Sequence, residues 1–269
     1  NFGTAIIKSE FKKDKVNFSN VDLMHPAGKV KLSESSIGLR PPYDFKTNVS
    51  SEDFNLQKLF LSLDLKEVPV EMLISPKAQC EGALTNFTAF CKVEAKSAGL
   101  KVSSHMSDPK SRIVELGEFS AQGEFFADIN KIAYKGTVAL GENTGESEGV
   151  VDFNKGFDIK FKSPKLDFNN VISLANLDFK GVLSLEGTTQ GNADSAVFSM
   201  KVAANSFSLE KYNFGLLESQ LRYDAGTLFL SEMKGTIDQS KYVGNLDLNL
   251  HDSQIKGAIN FDSSRLRDI

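Results

Sequence analysis

Apolar and polar residues alternate with period two along most of this chain. That period predicts strands with one oily face and one wet face. Phe157, Ile159 and Phe161 alternate with Asp158, Lys160 and Lys162. Leu177, Phe179, Leu183 and Leu185 hold one parity across Gly181, and Ala196, Phe198, Met200 and Val202 do the same. Leu217, Leu221 and Tyr223, then Leu228 and Leu230, then Leu246, Leu248 and Leu250 continue the series, which Ile255, Ile259 and Phe261 close. Shorter pairs of the same kind precede them: Val16 with Phe18, Val30 with Leu32, Ile37 with Leu39. The fold expected is all-β. A sheet of such strands must find something to cover its oily face, and the sequence holds little that could form a covering helix.

A glycine recurs within these strands, as in Tyr134-Lys135-Gly136-Thr137-Val138, Phe179-Lys180-Gly181-Val182-Leu183, Met233-Lys234-Gly235-Thr236-Ile237 and Ile255-Lys256-Gly257-Ala258-Ile259. Gly123, Gly136 and Gly149 stand about 13 residues apart, close to the strand spacing of all-β folds. Glycine inside a strand marks a bulge, a bend or a close backbone approach. Repeated at this spacing, it predicts an elongated, strongly curved, mostly antiparallel sheet. An ordinary sandwich with glycine-containing strands is the competing architecture.

One or two short helices interrupt the pattern. Ser50-Ser51-Glu52-Asp53 has the composition of a helix start, and Leu56, Leu59, Phe60 and Leu63 follow at helical spacing within Phe54 to Leu65, although Leu59, Leu61, Leu63 and Leu65 also fit a strand. A similar unit recurs about 110 residues later, where Asp167-Phe168-Asn169-Asn170 leads into Val171, Ile172 and Leu174 as a single helical turn before the next glycine-containing strand. Pro41-Pro42 breaks the ladder, and Gly141 to Gly149 reads as a polar hairpin loop. Residues 1–269 contain no linker that would divide them, so one continuous repetitive segment is expected. Asn1 in place of an initiator Met suggests a piece of a longer chain.

Composition narrows the function. A net charge of −4 gives no support to nucleic-acid binding. No apolar run reaches the roughly 18 residues of a membrane-spanning helix. Phe is abundant (21) while Tyr (5) and Trp (0) are scarce, which argues against the aromatic girdles of a membrane barrel and suits a dry interior. His25, His105 and His251 lie far apart with no metal-ligand spacing, and no nucleophile elbow, phosphate loop or dinucleotide fingerprint occurs. The expectation is a protein that is not an enzyme and uses no metal or cofactor. Asn17-Phe18-Ser19, Asn48-Val49-Ser50 and Asn86-Phe87-Thr88 match the glycosylation acceptor pattern, which matters only if the source exports through an endoplasmic reticulum. Cys80 and Cys91 carry more information. A turn centred on Thr85-Asn86 pairs Leu84 with Phe87 and sets Cys80 opposite Cys91, near disulfide distance at a non-hydrogen-bonded pair. A bridge implies an oxidising compartment; two separate buried thiols are the alternative.

The run Leu174-Ala175-Asn176-Leu177-Asp178-Phe179-Lys180-Gly181-Val182-Leu183-Ser184-Leu185-Glu186-Gly187, with Tyr223-Asp224-Ala225-Gly226-Thr227-Leu228-Phe229-Leu230 and Tyr242-Val243-Gly244-Asn245-Leu246-Asp247-Leu248, resembles the periplasmic part of TamB-like proteins in the AsmA-like superfamily of bacterial envelope proteins. The likeness is one of pattern and extends from about Leu56 onward. It implies a groove-shaped sheet, a β-taco, with an oily interior, in a full-length chain anchored at the inner membrane and reaching across the periplasm. It also implies phospholipid as cargo, a link to outer-membrane biogenesis and an outer-membrane β-barrel protein as a partner of the full-length chain. The residues expected to line such a groove are Phe157, Ile159, Phe161, Leu177, Phe179, Leu183, Leu185, Phe198, Met200, Leu228, Leu230, Leu246, Leu248 and Leu250. A closed β-sandwich serving as an adhesin or assembly scaffold is the other class of function that fits, and an enzyme on a repetitive β scaffold ranks last.

Overall fold

The structure is a computed structural model that describes residues 5–62, 70–103, 112–174, 177–191, 197–224, 226–249, 252 and 254–262. The first part of the chain forms β1 (Ala5–Lys12), β2 (Lys15–His25), β3 (Gly28–Gly38), β4 (Asp44–Ser51), the two-residue β5 (Phe54–Asn55), helix α1 (Leu56–Ser62), β6 (Val70–Ala83), β7 (Thr88–Ser103), β8 (Arg112–Leu116) and β9 (Phe119–Ala127). The middle forms β10 (Lys131–Leu140), β11 (Asn143–Asp152), β12 (Gly156–Asp167), β13 (Val171–Leu174) and β14 (Phe179–Lys180). The last part forms β15 (Val182–Gly191), β16 (Val197–Leu209), β17 (Tyr212–Asp224), β18 (Thr227–Ile237), β19 (Ser240–Asn249) and β20 (Ile255–Asp262).

All 20 described strands belong to one sheet. Each long strand pairs antiparallel with the next, from β1–β2 through β4–β6, β7–β9 and β12–β15 to β19–β20, and β1 and β20 do not pair. The sheet is therefore an open meander and not a barrel or a pair of facing sheets. Short pieces extend it at the strand ends: β5 lies on β6, β8 links β7 to β13, and β14 lies on β16.

The glycines explain the curvature. Gly123 and Gly136 face each other across β9 and β10, and a Cβ on either would run into the backbone of the other strand. Gly187, Gly235, Gly244 and Gly257 sit equally close to their cross-strand neighbours, all on the face that carries the apolar residues. Removing the side chain at these points lets neighbouring strands close up on that face, so the sheet curves toward it. At Gly181 the requirement is conformational as well, because its φ of +121° is one that side chains resist.

The interruptions differ in detail from the sequence expectation. The helix begins at Leu56, after β5, and Asn55 caps it, its Oδ1 accepting from the Lys58 N–H at 2.9 Å. Ser50-Ser51 are still in β4, and Asp53 takes a positive φ of 49°, so the acidic pair belongs to a turn. The helix ends at Ser62; Leu63 and Leu65 lie outside the described residues. The second unit forms a 3-10 turn at Phe168–Asn170, with the Asp167 carboxylate accepting from the Asn169 N–H at 3.0 Å. Val171–Leu174 is strand and not part of that turn. The two units occupy equivalent places, between strands β4 and β6 and between β12 and β15. The polar stretch from Gly141 is a hairpin tip only at Gly141 and Glu142, and Asn143–Asp152 is strand β11. Glycine at 145 and 149 and polar residues between them suggest a loop, but every residue of that strand pairs with β10.

Candidate functional site

Strand register assembles the apolar residues into rows that cross the sheet. One row passes through Cys80, Cys91, Phe125, Tyr134, Gly149, Ile159, Thr189, Phe198, Tyr223, Leu228, Leu248 and Ile255, each directly opposite the next. Beside it run Val93, Gly123, Gly136, Ser147, Phe161, Gly187, Met200, Leu221, Leu230 and Leu246. Phe157 stands opposite Val151 and Gly191, Leu185 opposite Val202, and Leu183 opposite Ala204. Leu177 and Phe179 pack against the cluster that contains Leu183. Leu250, His105 and His251 lie outside the described residues.

The same face has two characters. Across β15–β19 it is closed. Leu183, Phe207, Leu217, Met233, Tyr242 and Leu246 form one cluster, with Leu217 2%, Met233 1% and Tyr242 2% exposed. Aromatic rings link Phe168, Phe179, Phe207, Phe214, Tyr242 and Phe261 in sequence, with centroids 5.4 to 6.5 Å apart. The Tyr242 hydroxyl donates to the Phe214 carbonyl at 2.7 Å, and burial pushes its pKa up to about 12. Leu183, Leu230, Leu246 and Leu248, expected to line a groove, are thus packed against their own neighbours.

Across β6–β12 the face stays open. Ala78, Val93, Ala95, Phe125, Tyr134, Ile159 and Phe161 are only half-buried, and their positions alternate with Gly123, Gly136, Gly145, Ser147 and Gly149. Small side chains leave space where the closed third has Phe, Leu and Met. Phe125, Tyr134 and Val93 were not singled out as lining by the sequence reading. Their cross-strand position opposite Cys91, Gly149 and Gly123 is what reveals them, and that depends on register.

The bridge is present: Cys80 and Cys91 oppose each other, Cα atoms 4.1 Å apart, with their sulfurs bonded. The turn predicted for that hairpin is also found, the Phe87 N–H donating to the Leu84 carbonyl at 3.3 Å.

A cleft of about 1270 Å³ does not lie among these apolar side chains. It is a trench on the charged face, between two rows of long side chains with the backbone of Val93, Gly123, Gly136 and Ser147 beneath. Lys92, Glu124, Lys135, Glu148 and Lys160 alternate in sign across five strands, each opposite the next. Glu146, Lys162, Glu186 and Lys201 do so in the second row. Lys135–Glu148 at 3.9 Å and Lys162–Glu186 at 3.8 Å are exposed pairs worth a few tenths of a kcal/mol each, about 0.2–1 at most, so their value is in fixing register.

Among the described residues no group of His, Cys, Asp or Glu is arranged to hold a metal ion. His25 is engaged locally, accepting from the Ala27 N–H through Nδ1 at 3.0 Å and stacking on Phe54. No helix among the described residues is long and apolar enough to cross a membrane. No family model, curated protein or solved structure matches the chain.

Proposed function

We propose that this chain holds phospholipid acyl chains along the open part of its apolar face and passes them along the sheet. It would act as a periplasmic segment of a TamB-like bridge between inner and outer membranes, with the polar headgroup kept in water. The observation that carries this reading is the stretch from β6 to β12, where rows of apolar side chains are only half-buried. Exposed apolar surface of that extent binds something in a folded protein. Each methylene that leaves water contributes about 0.8 kcal/mol, so a few partly covered acyl carbons offset much of the cost of leaving a bilayer. Ala, Gly, Val and Phe dominate these rows, and the hydroxyls of Tyr134 and Ser147 are bonded to each other at 2.9 Å, so little on the face would trap a chain in one place. No reaction is required.

The alternative, an adhesin or assembly module, draws on the closed third, which has a filled core of its own. Purification without detergent followed by lipid extraction separates the two. Lipid transport predicts phospholipid bound to the wild-type chain and lost from Val93→Arg, since an unpaired charge on an apolar surface is costly to cover. A folded wild-type chain that carries no lipid overturns the proposal.

A further inference from the structure

The register places the β17–β18 and β19–β20 turns, which carry Asp224 and Asp252, on one edge of the sheet, and on the same edge five further hairpin tips in the earlier strands: those joining β1 to β2, β3 to β4, β6 to β7, β9 to β10 and β11 to β12. Each of these five carries a large apolar side chain turned to water. Phe11 is 74% exposed, Leu39 46%, Phe87 69%, Ile129 66% and Phe153 58%. Backbone hydrogen bonds tie the first three tips to one another and the last two to each other. The Leu39 N–H donates to the Asp14 carbonyl at 2.7 Å, that of Leu84 to Tyr43 at 3.3 Å, and that of Phe153 to Asn130 at 2.8 Å. Neighbouring strands lie about 4.8 Å apart, so successive tips stand roughly 10 Å from one another. At the opposite edge the two-residue tips are Pro26-Ala27, Gly141-Glu142, Glu210-Lys211 and Asp238-Gln239, and the exposed apolar residues toward it, Met24, Leu61, Tyr212, Leu216 and Val243, stand in the strands and in α1 and not at the tips.

Charge distinguishes the rim as well. Residues 11–15, 39–44, 84–87, 128–131 and 152–155 contain six cations (Lys12, Lys13, Lys15, Arg40, Lys131, Lys155) and four carboxylates, in a chain whose net charge is −4. Three of the carboxylates are engaged locally, Asp44 is exposed, and Lys12 pairs with Glu10 at 3.1 Å. Asp128 and Asp152 accept from the backbone N–H groups of their own turns at 2.7 to 3.0 Å, and Asp14 meets Arg40 at 3.4 Å.

We infer that this rim docks on the surface of an anionic lipid bilayer, with Phe11, Phe87, Ile129 and Phe153 entering the headgroup region and the lysines beside them meeting lipid phosphates. A line of single apolar tips about 10 Å apart offers no contiguous patch of the kind a protein partner needs. A bilayer imposes no such demand, and it rewards an apolar tip flanked by a cation whose stem can reach outward. The inference rests on the rim and does not depend on the acyl-chain reading of the open face.

The test is co-sedimentation of the chain with vesicles of phosphatidylglycerol and phosphatidylcholine, and with phosphatidylcholine alone. Binding to the anionic vesicles is expected, weakened by added salt. The combined Phe11→Ser, Phe87→Ser, Ile129→Ser and Phe153→Ser variant should bind at least ten-fold more weakly while keeping its circular dichroism and Tm. Met24→Ser with Tyr212→Ser on the other edge should leave vesicle binding unchanged. The inference is overturned if the folded chain binds neither vesicle, or if both edges matter equally. It is also overturned if the chain forms a lipid-free dimer that the combined variant abolishes, since the rim is then an interface between copies.

Discussion

The open stretch β6–β12 and the closed third β15–β20 are built by the same rules and end differently. Both alternate with period two, both pair in register, and the same rows of residues run through both. What changes is side-chain volume on one face. Gly136 and Ser147 stand in the row that holds Leu230 and Leu246 later in the meander, and Gly149 in the row that holds Leu248. The large side chains meet across the curved sheet and exclude water, while the small ones leave the face half-exposed. Size at fixed register decides whether a curved sheet becomes a core or a groove, and alternation by itself does not report it.

Truncation should separate the regions most sharply. Leu217→Ala or Met233→Ala removes a side chain that is almost fully buried and should cost about 2–5 kcal/mol. Val93→Ala in the open stretch should cost less than about 1.5 kcal/mol, because the side chain is already half in water. Urea unfolding of the three variants measures the contrast, and equal losses would mean the open face is covered.

The bridge comes next. Cys80 and Cys91 close a short loop at the boundary of the open face, so Cys80→Ser with Cys91→Ser should lower stability by about 2–4 kcal/mol. Thiol titration of the unfolded, unreduced chain should find no free sulfhydryl.

Tyr242 gives the closed third a pH signature. Burial raises its pKa in the folded state from the ordinary 10.0 to about 12. The folded state therefore holds the phenolic proton more tightly than the unfolded chain. Stability from this group is intact below pH 10 and is lost as pH rises from 10 through 12, by about 2–3 kcal/mol at the upper end. Tyr242→Phe should lose about 1 kcal/mol at neutral pH, for the hydroxyl that reaches the Phe214 and Leu216 carbonyls, and should lack that alkaline slope. Paired denaturation curves at pH 8 and 11 provide the check.

Much of this was readable in advance. The parity of Phe157 to Leu248 gave the strands and a common face, the glycines gave the curvature, and counting outward from Thr85-Asn86 paired the cysteines. The division of that face was not readable, because it depends on which residues meet across several strands. Leu248 alternates just as Ile159 and Phe161 do, but its cross-strand neighbours are Leu228 and Ile255 where theirs are Gly149, Thr189, Ser147 and Gly187. The exposed tips were missed for a similar reason: Phe11, Ile129 and Phe153 are far apart in sequence, and only the meander brings them to one edge.

The smallest effect concerns Thr189, a buried hydroxyl with no hydrogen-bond partner among the described residues, in the row that joins the two regions. Thr189→Val keeps its shape and removes an unsatisfied group, so a gain of about 0.5–1 kcal/mol is expected. A loss in thermal unfolding would show that the hydroxyl is engaged.

The most direct measurement of the central claim is photocrosslinking in cells with a benzophenone side chain placed at Phe125 and Phe161 on the open face, at Phe168 against the closed cluster, and at Glu124 and Glu186 on the charged face. Acyl chains held along the open stretch give lipid adducts at Phe125 and Phe161 and none at the other positions. Adducts distributed equally over both faces, or absent at Phe125 and Phe161 while the protein is folded, would contradict it.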